Sequence, residues 1–233
     1  MQLRLKPGHD APIRGGHPWV FRDSLREDDA AALADGEEAD VLDARGAFLG
    51  RGLASAHSRI SCRIFRRSPG PLDEAFFRSR IEAAVLLRRR HGLPRADTDA
   101  YRVVFSEGDF LPGVTADLLG DCLVLQTTTA GTDRRKGMLA GLLAEATGAA
   151  RVCERNDAAV REREGLERTR GWLRGDPVEH VVIRENGLRY EVDPIRAMKT
   201  GHFLDQRENR RLAAERLAAG GPAGGRVLDL FCY

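Results

Sequence analysis

The chain has 233 residues, with 37 Lys and Arg against 35 Asp and Glu, and 42% of its residues are hydrophobic. This apolar fraction is ordinary for a protein with a packed core, so the composition excludes a wholly disordered chain. It contains no run of about 18 apolar residues, which excludes a membrane-spanning helix. Because the first ten residues also lack the apolar segment of a secretory signal, we expect a globular, cytoplasmic protein.

The near-zero net charge conceals an uneven distribution. Residues 23–43 carry nine acids and one base, whereas residues 59–102 carry eleven arginines and five acids. All but three of the 37 basic residues are arginine, whose planar guanidinium suits phosphate and base recognition. The codon bias of a GC-rich genome also explains an arginine excess. The segregated charge is therefore compatible with a nucleic-acid-binding face but does not establish one.

The cysteines show no pattern typical of a metal site or a disulfide scaffold. The chain contains Cys62, Cys122, Cys153 and Cys232, with no C-x-x-C pair among them. Each lies within an apolar strand pattern, which favours buried structural thiols over reactive ones. We therefore predict no metal site.

The first seventy residues combine short β patterns with turn residues. Strands are predicted over residues 3–6, 39–42, 48–53 and 60–65. Glycines at 46, 50 and 52 indicate turns or bulges between them. The Ser68–Pro71 segment, Ser-Pro-Gly-Pro, continues neither a strand nor a helix. We therefore predict a small β-barrel-like domain over residues 1–68, followed by a linker.

The middle of the chain mixes helices and strands. Helical spacing of apolar residues predicts helices over residues 72–91 and 136–146, and a charged helix is predicted around 157–164. Strands are predicted over residues 101–105, 114–117, 122–128 and 150–154. This order predicts an α+β domain over residues 73–177.

The last part of the chain begins with a hairpin signature. Asn186-Gly187, a strong two-residue turn signal, separates predicted strands at 179–184 and 188–192. A helix is predicted from the 199–207 stretch to about residue 219, ended by Gly220 and Gly221. The apolar run at 226–231, interrupted by Asp229, predicts a buried strand. Such strands open nucleotide-binding α/β domains, but they are also common in other buried parallel sheets.

The stretch from Lys199 to Arg207 places a Thr-Gly pair, an aromatic ring, an acid, an amide and an arginine at a predicted helix start. A helix N-terminus presents free N–H groups and a positive dipole end, which suit a phosphate or carboxylate ligand. A solvent-exposed helix cap is the alternative, which Asp205 alone could provide. The residues themselves leave both interpretations open.

Several motifs in the chain resemble one known family. KTGHFLDQRENR (199–210) and VLDLFCY (227–233) are similar to motifs of the class I S-adenosylmethionine-dependent methyltransferases that modify cytosine C5 of large-subunit ribosomal RNA. LKPG (5–8), GHPWVF (16–21) and DARGAFLGRG (43–52) resemble the PUA RNA-binding domain of that family. EGDFLPGVTAD (107–117), CERNDAAVREREGL (153–166) and ENGLRYEVD (185–193) resemble its central domain. The resemblance covers nearly the whole chain in order, with a departure at His202, where an aromatic residue is common.

This resemblance implies a multidomain α/β and α+β protein. It has an N-terminal PUA-like β-barrel, a central α+β domain and, over residues 178–233, a hairpin and the start of a Rossmann-like methyltransferase domain. The implied cofactor is S-adenosylmethionine, and the implied partner is large-subunit (23S) ribosomal RNA, with no membrane contact and with a homodimer left open. The cofactor-binding residues it implies are Thr200, Gly201, Phe203, Gln206 and Asp229.

For RNA binding, the β-rich domain offers basic and aromatic side chains, because arginine holds phosphates and aromatic rings stack on bases. The predicted RNA-binding residues are Lys6, Arg14, His17, Trp19, Arg59 and Arg63. A core aromatic is the alternative for Trp19, and a structural turn residue is the alternative for His17.

Enzymes of the resembled family add a cysteine thiolate to C6 of cytosine, which makes C5 reactive toward the methyl group. The four cysteines lack the expected loop context, so the resemblance places the nucleophile beyond Tyr233 and leaves the catalytic residue unassigned. We therefore expect a chain truncated near the start of its methyltransferase domain, and no methyl transfer by these 233 residues alone.

Two alternatives belong to other classes. A complete, non-catalytic RNA-binding protein is expected if the natural product ends at Tyr233. A nicotinamide-dependent Rossmann enzyme would account for the VLDL strand at 227–230 but not for the N-terminal motifs.

Overall fold

The computed structural model describes residues 1–219. Its N-terminal part is a five-stranded sheet in the order β1-β3-β4-β5-β2, in which β1 is parallel to β3 and the other neighbours are antiparallel. The strands are β1 (Gln2–Arg4), β2 (Trp19–Phe21), β3 (Glu38–Leu42), β4 (Phe48–Ala54) and β5 (Ile60–Arg66). Two short helices, α1 (Ala11–Arg14) and α2 (Glu27–Ala31), lie in the connections. Four of these strands match the predicted segments to within two residues.

The glycines predicted at turns and bulges have those roles. Gly46 has φ +90°, which suits the turn between β3 and β4. At Gly52 the pairing of β4 with β5 shifts register, and a Cβ there would overlap the carbonyl of Arg63. Gly52 therefore lets the two strands approach closely at the bulge.

The second sheet has the order β10-β9-β8-β7-β6, with β8 parallel to β9 and the other pairs antiparallel. Its strands are β6 (Ala100–Phe105), β7 (Val114–Leu119), β8 (Cys122–Thr127), β9 (Arg151–Asn156) and β10 (Thr169–Arg174). The helices of this region are α3 (Glu74–Arg90), α4 (Ala130–Asp133) and α5 (Lys136–Thr147). Asp73 begins α3 by accepting a hydrogen bond from the Phe76 amide at 2.9 Å.

Both faces of this second sheet are covered, because alternate residues of each strand point to opposite sides. Leu123 and Leu125 of β8 pack in the core that contains the buried residues of α3 and α5. Cys122 and Val124 face the other way, into a core shared with the hairpin β11 (Val181–Glu185) and β12 (Leu188–Val192). The Asn186-Gly187 turn of this hairpin is confirmed.

After the hairpin, residues 193–203 contain no helix, and a 3₁₀ turn at Leu204–Gln206 leads into α6 (Arg207–Ala219). The prediction that the 199–207 stretch leads into a helix is therefore confirmed. Residues 159–164 form a 3₁₀ segment rather than the predicted charged helix. The predicted helix end at Gly220 and Gly221, the strand at 226–231, Asp229 and Cys232 lie outside the described residues.

Two buried hydrophobic clusters include residues from both sides of a predicted domain boundary. Leu53 and Phe65 of the N-terminal sheet belong to the same buried cluster as Phe77 of α3. Val181 and Ile183 of the hairpin pack with the central sheet. The division into residues 1–68, 73–177 and 178–233 stays a prediction. Within residues 1–219, no helix has the length and apolar character needed to cross a membrane.

Candidate functional site

A cleft of about 790 Å³ opens between the C-terminal end of α3, strands β6 and β7, and residues 199–207. Its lining includes Arg88, Tyr101, Arg102, Phe105, Asp117, Lys199, Thr200, His202, Phe203, Asp205 and Arg207. Another cleft of about 630 Å³ lies at α3 and α5, and none of the predicted site residues line it. The first cleft therefore lies where the KTG motif (residues 199–201) meets the central sheet.

A buried carboxylate anchors this motif. Asp117 on β7 is fully buried, and its Oδ2 accepts a hydrogen bond from Thr200 Oγ1 at 2.8 Å. Arg102 on β6 donates to the two carboxylate oxygens of Asp117 at 2.7 and 3.0 Å. Hydrogen bonding to Asp117 raises the pKa of Arg102 above its ordinary value, so the guanidinium stays charged at neutral pH. Asp117 thus joins residue 200 to two strands of the sheet.

The backbone beside Thr200 needs glycine at position 201. Gly201 has φ +110°, a conformation that side chains with a Cβ disfavour. A Cβ there would overlap Cγ1 of Val192 and lie 3.3 Å from the carbonyl oxygen of Asp193. The motif glycine therefore lets the loop pack directly on β12.

A second buried carboxylate holds the following turn. Glu185 on β11 is 1% exposed and accepts hydrogen bonds from Arg210 Nε at 2.6 Å and Nη2 at 2.7 Å. His202 Nε2 lies 3.0 Å from Glu185 Oε2, and the His202 ring centroid lies 4.9 Å from that of Tyr190. Burial would raise the pKa of Glu185, but hydrogen bonds from Arg210 and His202 lower it below its ordinary value. His202, where the motif departs from the resembled family, thus contacts Glu185 inside the fold.

The lowered pKa of Glu185 predicts an acid-sensitive contact. Because the folded state binds the Glu185 proton less tightly than the unfolded state, its stabilisation is present above the ordinary pKa of 4.5 and lost as pH falls below it. We expect Glu185→Gln to reduce the free energy of unfolding at pH 7 and to flatten its decline between pH 5 and 3. Urea unfolding at a series of pH values measures this, and an unchanged slope in the variant would contradict it.

The structure places only some of the predicted cofactor-binding residues at the cleft. Thr200 and Phe203 line the cleft, whereas Gly201 lies outside the lining and packs against Val192. Gln206 is exposed and outside the lining, and Asp229 lies outside the described residues. The interpretation of Asp205 as a helix cap is not supported, because its carboxylate accepts a hydrogen bond from the Gln206 side chain at 3.5 Å and α6 begins only at residue 207.

Sequence reasoning assigned no cofactor role to several further residues of the cleft, among them Arg88, Tyr101, Arg102, Phe105 and Asp117. Asp117 ends the EGDFLPGVTAD motif. The available signal was an acidic side chain within an otherwise largely apolar strand. Its partner Thr200 is 83 residues away, and local patterns do not encode such a contact.

The predicted RNA-binding residues lie in different environments. His17 and Arg59 are exposed, and Lys6 is half-buried. Arg14 is exposed but forms ion pairs with Asp10 at 2.6 Å and Asp43 at 2.5 Å. Trp19 is half-buried, and its Nε1 donates to Glu107 of the central region at 2.8 Å. His17 Nδ1 accepts from the Trp19 amide at 3.2 Å, which agrees with the turn role proposed as the alternative for His17.

Arg63 is a correction to the predicted RNA face. Its Nη2 donates to Glu164 Oε1 at 2.8 Å, and the side chains of Arg63 and Glu164 are 11% and 2% exposed. A guanidinium held in this way between the N-terminal sheet and residues 159–164 is not free to contact a phosphate. Arg63 therefore connects two parts of the protein.

This buried ion pair predicts a strong asymmetry between single and double substitutions. Glu164→Ala leaves the Arg63 charge buried without a partner, so we expect a loss of about 3–5 kcal/mol in the free energy of unfolding. Arg63→Met combined with Glu164→Leu removes both charges and is expected to cost much less. Urea unfolding of both variants tests this. A single substitution that is no worse than the double one would contradict the assignment.

Comparison with known proteins decides the family. A family model described as S-adenosylmethionine-dependent methyltransferase matches residues 111–233, and a PUA-like domain model matches residues 3–67. The chain belongs to the S-adenosylmethionine-dependent methyltransferases. The KTG motif (residues 199–201) lies in the matched segment of the chain, as do the cleft residues from Asp117 onward.

Relatives of this methyltransferase carry a more specific name. The chain is 39% identical over 214 residues to ribosomal RNA large subunit methyltransferase I of Alteromonas mediterranea, covering 91% of this chain and 53% of the relative. It is 35% identical to the Shewanella denitrificans protein of the same name, covering 100% and 58%. The chain thus spans a little over half the length of these relatives.

A solved structure shares the fold of this methyltransferase. A crystal structure of a methyltransferase complexed with SAH superposes with a TM-score of 0.75 at 20% identity, covering 96% of this chain and 55% of the other. At this identity the likeness concerns the fold alone.

The cysteines of the methyltransferase that the structure describes, Cys62, Cys122 and Cys153, are all buried and free. Burial raises the pKa of Cys62 to about 12. A hydrogen bond with Cys122 and burial raise the pKa of Cys153. A nucleophilic thiolate needs the opposite shift from that of Cys62 and Cys153. The prediction that the thiols are buried is confirmed for all three residues.

Proposed function

We propose that this protein transfers a methyl group from S-adenosylmethionine to cytosine C5 of large-subunit (23S) ribosomal RNA. The observation that carries the proposal is the KTG motif, which the buried Asp117 holds against the cleft. The names of the relatives support ribosomal RNA as the substrate class. The C5 position rests on the motif resemblance in residues 199–210.

The residues of the cleft suit the proposed cofactor. Phe203 is 37% exposed and lines the cleft beside Asp205 and Lys199. An aromatic face and a carboxylate suit an adenine ring and ribose hydroxyls. The close packing of Gly201 on Val192 holds the loop that carries these residues against β12. When bound, the cofactor supplies the activated methyl group. The residues of this chain position the loop that faces it.

The PUA-like sheet supplies the RNA contacts in this proposal. The exposed Arg59 and His17, together with the half-buried Lys6 and Trp19, are retained as RNA-binding candidates. Arg14 is retained with the reservation that its guanidinium already pairs with Asp10 and Asp43. Arg63 is removed because its guanidinium is buried against Glu164.

We place the nucleophile outside the described cysteines, because all three thiols are buried and therefore inaccessible to a base. We therefore propose that residues 1–219 bind RNA and position the cofactor loop, and that the thiolate comes from elsewhere in the natural protein. These residues alone are expected to transfer no methyl group.

Calorimetric titration tests the cofactor assignment. The product of the complete reading frame that contains this chain is expected to bind S-adenosylmethionine and not NAD. Phe203→Ala is expected to weaken the binding at least tenfold, whereas Leu217→Ala, which removes another exposed apolar side chain on α6, leaves it unchanged. Binding of NAD, or equal affinity of the Phe203 variant, would contradict the assignment.

The second candidate function is RNA binding without catalysis, which the absence of a reactive thiol among the described cysteines favours. The intact mass of the purified natural protein separates the two functions. A mass equal to that of 233 residues supports the non-catalytic function, and a larger mass supports the enzyme.

A further inference from the structure

The turn between β6 and β7 exposes two phenylalanine rings. Phe105 is 57% exposed and Phe110 is 64% exposed, on either side of the 3₁₀ turn at Ser106–Asp109. Ser106 has φ +43° and Phe110 has φ +58°, in the left-handed region that favours glycine. Strained backbone and exposed aromatic rings in one short segment are typical of functional sites.

This aromatic turn, residues 105–110, is firmly held. Asp109 is buried and accepts hydrogen bonds from Arg88 Nη2 at 2.7 Å and from the Phe105 amide at 2.5 Å. Ser106 Oγ accepts from the Gly113 amide at 2.9 Å. These bonds fix the backbone, so the two rings remain exposed instead of folding onto the core.

The charges around the rings are positive and directed at them. The Arg102 guanidinium lies 5.5 Å from the centroid of Phe105, and that of Arg80 lies 5.3 Å from the centroid of Phe110. The two acids of the turn are occupied, since Asp109 pairs with Arg88 and Glu107 accepts hydrogen bonds from Trp19 and Ser106. Exposed aromatic rings with adjacent guanidinium groups match the chemistry of unpaired nucleotides, which stack their bases and carry a phosphate charge.

The aromatic turn also lies between the two sites already described. Glu107 accepts the Trp19 Nε1 hydrogen bond at 2.8 Å, which connects the turn to the predicted RNA face. On the other side, Phe105 and Arg102 line the cleft that contains Thr200. The rings are therefore continuous with both the RNA face and the cofactor loop.

We propose that Phe105 and Phe110 form a stacking platform for unpaired bases of single-stranded RNA, which leads the strand from the PUA-like sheet to the cleft. The platform rests on the proposed function for its substrate class. Arg80 holds a phosphate that accompanies the stacked bases, and Arg102, which is paired with Asp117, supports the Phe105 ring.

Binding of a short single-stranded RNA that contains 2-aminopurine tests the platform on the 233-residue chain. Phe105→Ala and Phe110→Ala are each expected to weaken binding about five- to a hundredfold and to reduce the quenching of 2-aminopurine, because each removes one stacking surface. Phe105→Tyr is expected to retain both signals. The matched control is Leu188→Ala, which removes another exposed apolar side chain, 62% exposed, on β12.

A Phe110→Gly variant separates stacking from folding. Because glycine is favoured at φ +58°, this variant is expected to melt at the same or a higher temperature than the original chain while binding RNA more weakly. Affinity within twofold of the original in both alanine variants would overturn the proposal. So would a change in sedimentation that shows the rings to contact a second copy of the chain instead.

The result is independent of the cofactor assignment. Failure of the unaltered protein to bind S-adenosylmethionine would contradict the proposed function, whereas the RNA comparison among the Phe105 and Phe110 variants would still decide the platform.

Discussion

Replacing Asp117 by Ala is expected to lower the free energy of unfolding by about 1–3 kcal/mol. The carboxylate is fully buried and accepts hydrogen bonds from Arg102 and Thr200, so its removal leaves a guanidinium and a hydroxyl without their partner. Equilibrium unfolding in urea measures the loss. A cost below about 1 kcal/mol would show that the anchor contributes little.

The more informative variant is Asp117→Asn, which keeps the size of the side chain and removes its charge. We expect a smaller loss of stability and a clear loss of affinity for S-adenosylmethionine, because the loop at Thr200 is held less firmly. The matched control is Asp121→Asn in the adjacent β7–β8 turn, whose side chain is 53% exposed and pairs with Arg151. Equal effects of the two substitutions on cofactor affinity would contradict a positioning role for Asp117.

Gly201→Ala is the second substitution with a large expected effect. Its φ of +110° imposes backbone strain on alanine, and its Cβ would overlap Val192. The two costs together predict a loss of about 2–4 kcal/mol in the free energy of unfolding. Cofactor affinity is expected to fall as well, since the loop must move away from β12.

Two comparisons separate backbone strain from overlap with Val192 as causes of the effects of Gly201→Ala. Gly187→Ala has a similar strain at φ +82° but nothing within 4 Å of the added Cβ, so we expect a loss of about 1–2 kcal/mol. Combining Gly201→Ala with Val192→Ala removes the overlapping methyl group and is expected to restore part of the cofactor affinity. If Gly187→Ala and Gly201→Ala lower the free energy of unfolding equally, overlap with Val192 does not contribute to the loss.

Much of the fold could be predicted because its elements carry local signals. The Asn186-Gly187 turn and the helical spacing of apolar residues in α3 and α5 each depend on neighbouring residues. The strand β10 was not predicted, because its residues show a mixed, mostly half-exposed pattern. The parallel pairing of β1 with β3 joins residues nearly forty positions apart, which no local pattern records.

The motif of the candidate site could be predicted from the sequence, but the spatial arrangement of the site's residues could not. The composition of residues 199–207 was compatible with a binding loop or with a solvent-exposed helix cap, and the structure places Thr200 and Phe203 at a cleft. The carboxylate that holds the loop comes from β7, and its role appears only when the sheet is formed.

Arg63 shows the limit of assigning charged residues by type. It lies in the same arginine-rich segment as the exposed Arg59, but its strand position turns it toward Glu164 in the structure. Burial distinguishes the two, and the sequence around them does not.

The most direct test of the proposed activity is a map of 5-methylcytidine in large-subunit ribosomal RNA by mass spectrometry. It compares the parent strain, a strain lacking the gene that encodes this chain, and the deletion strain carrying that gene again. We predict that one 5-methylcytidine disappears on deletion and returns on complementation. An unchanged set of 5-methylcytidines in the deletion strain would contradict the account.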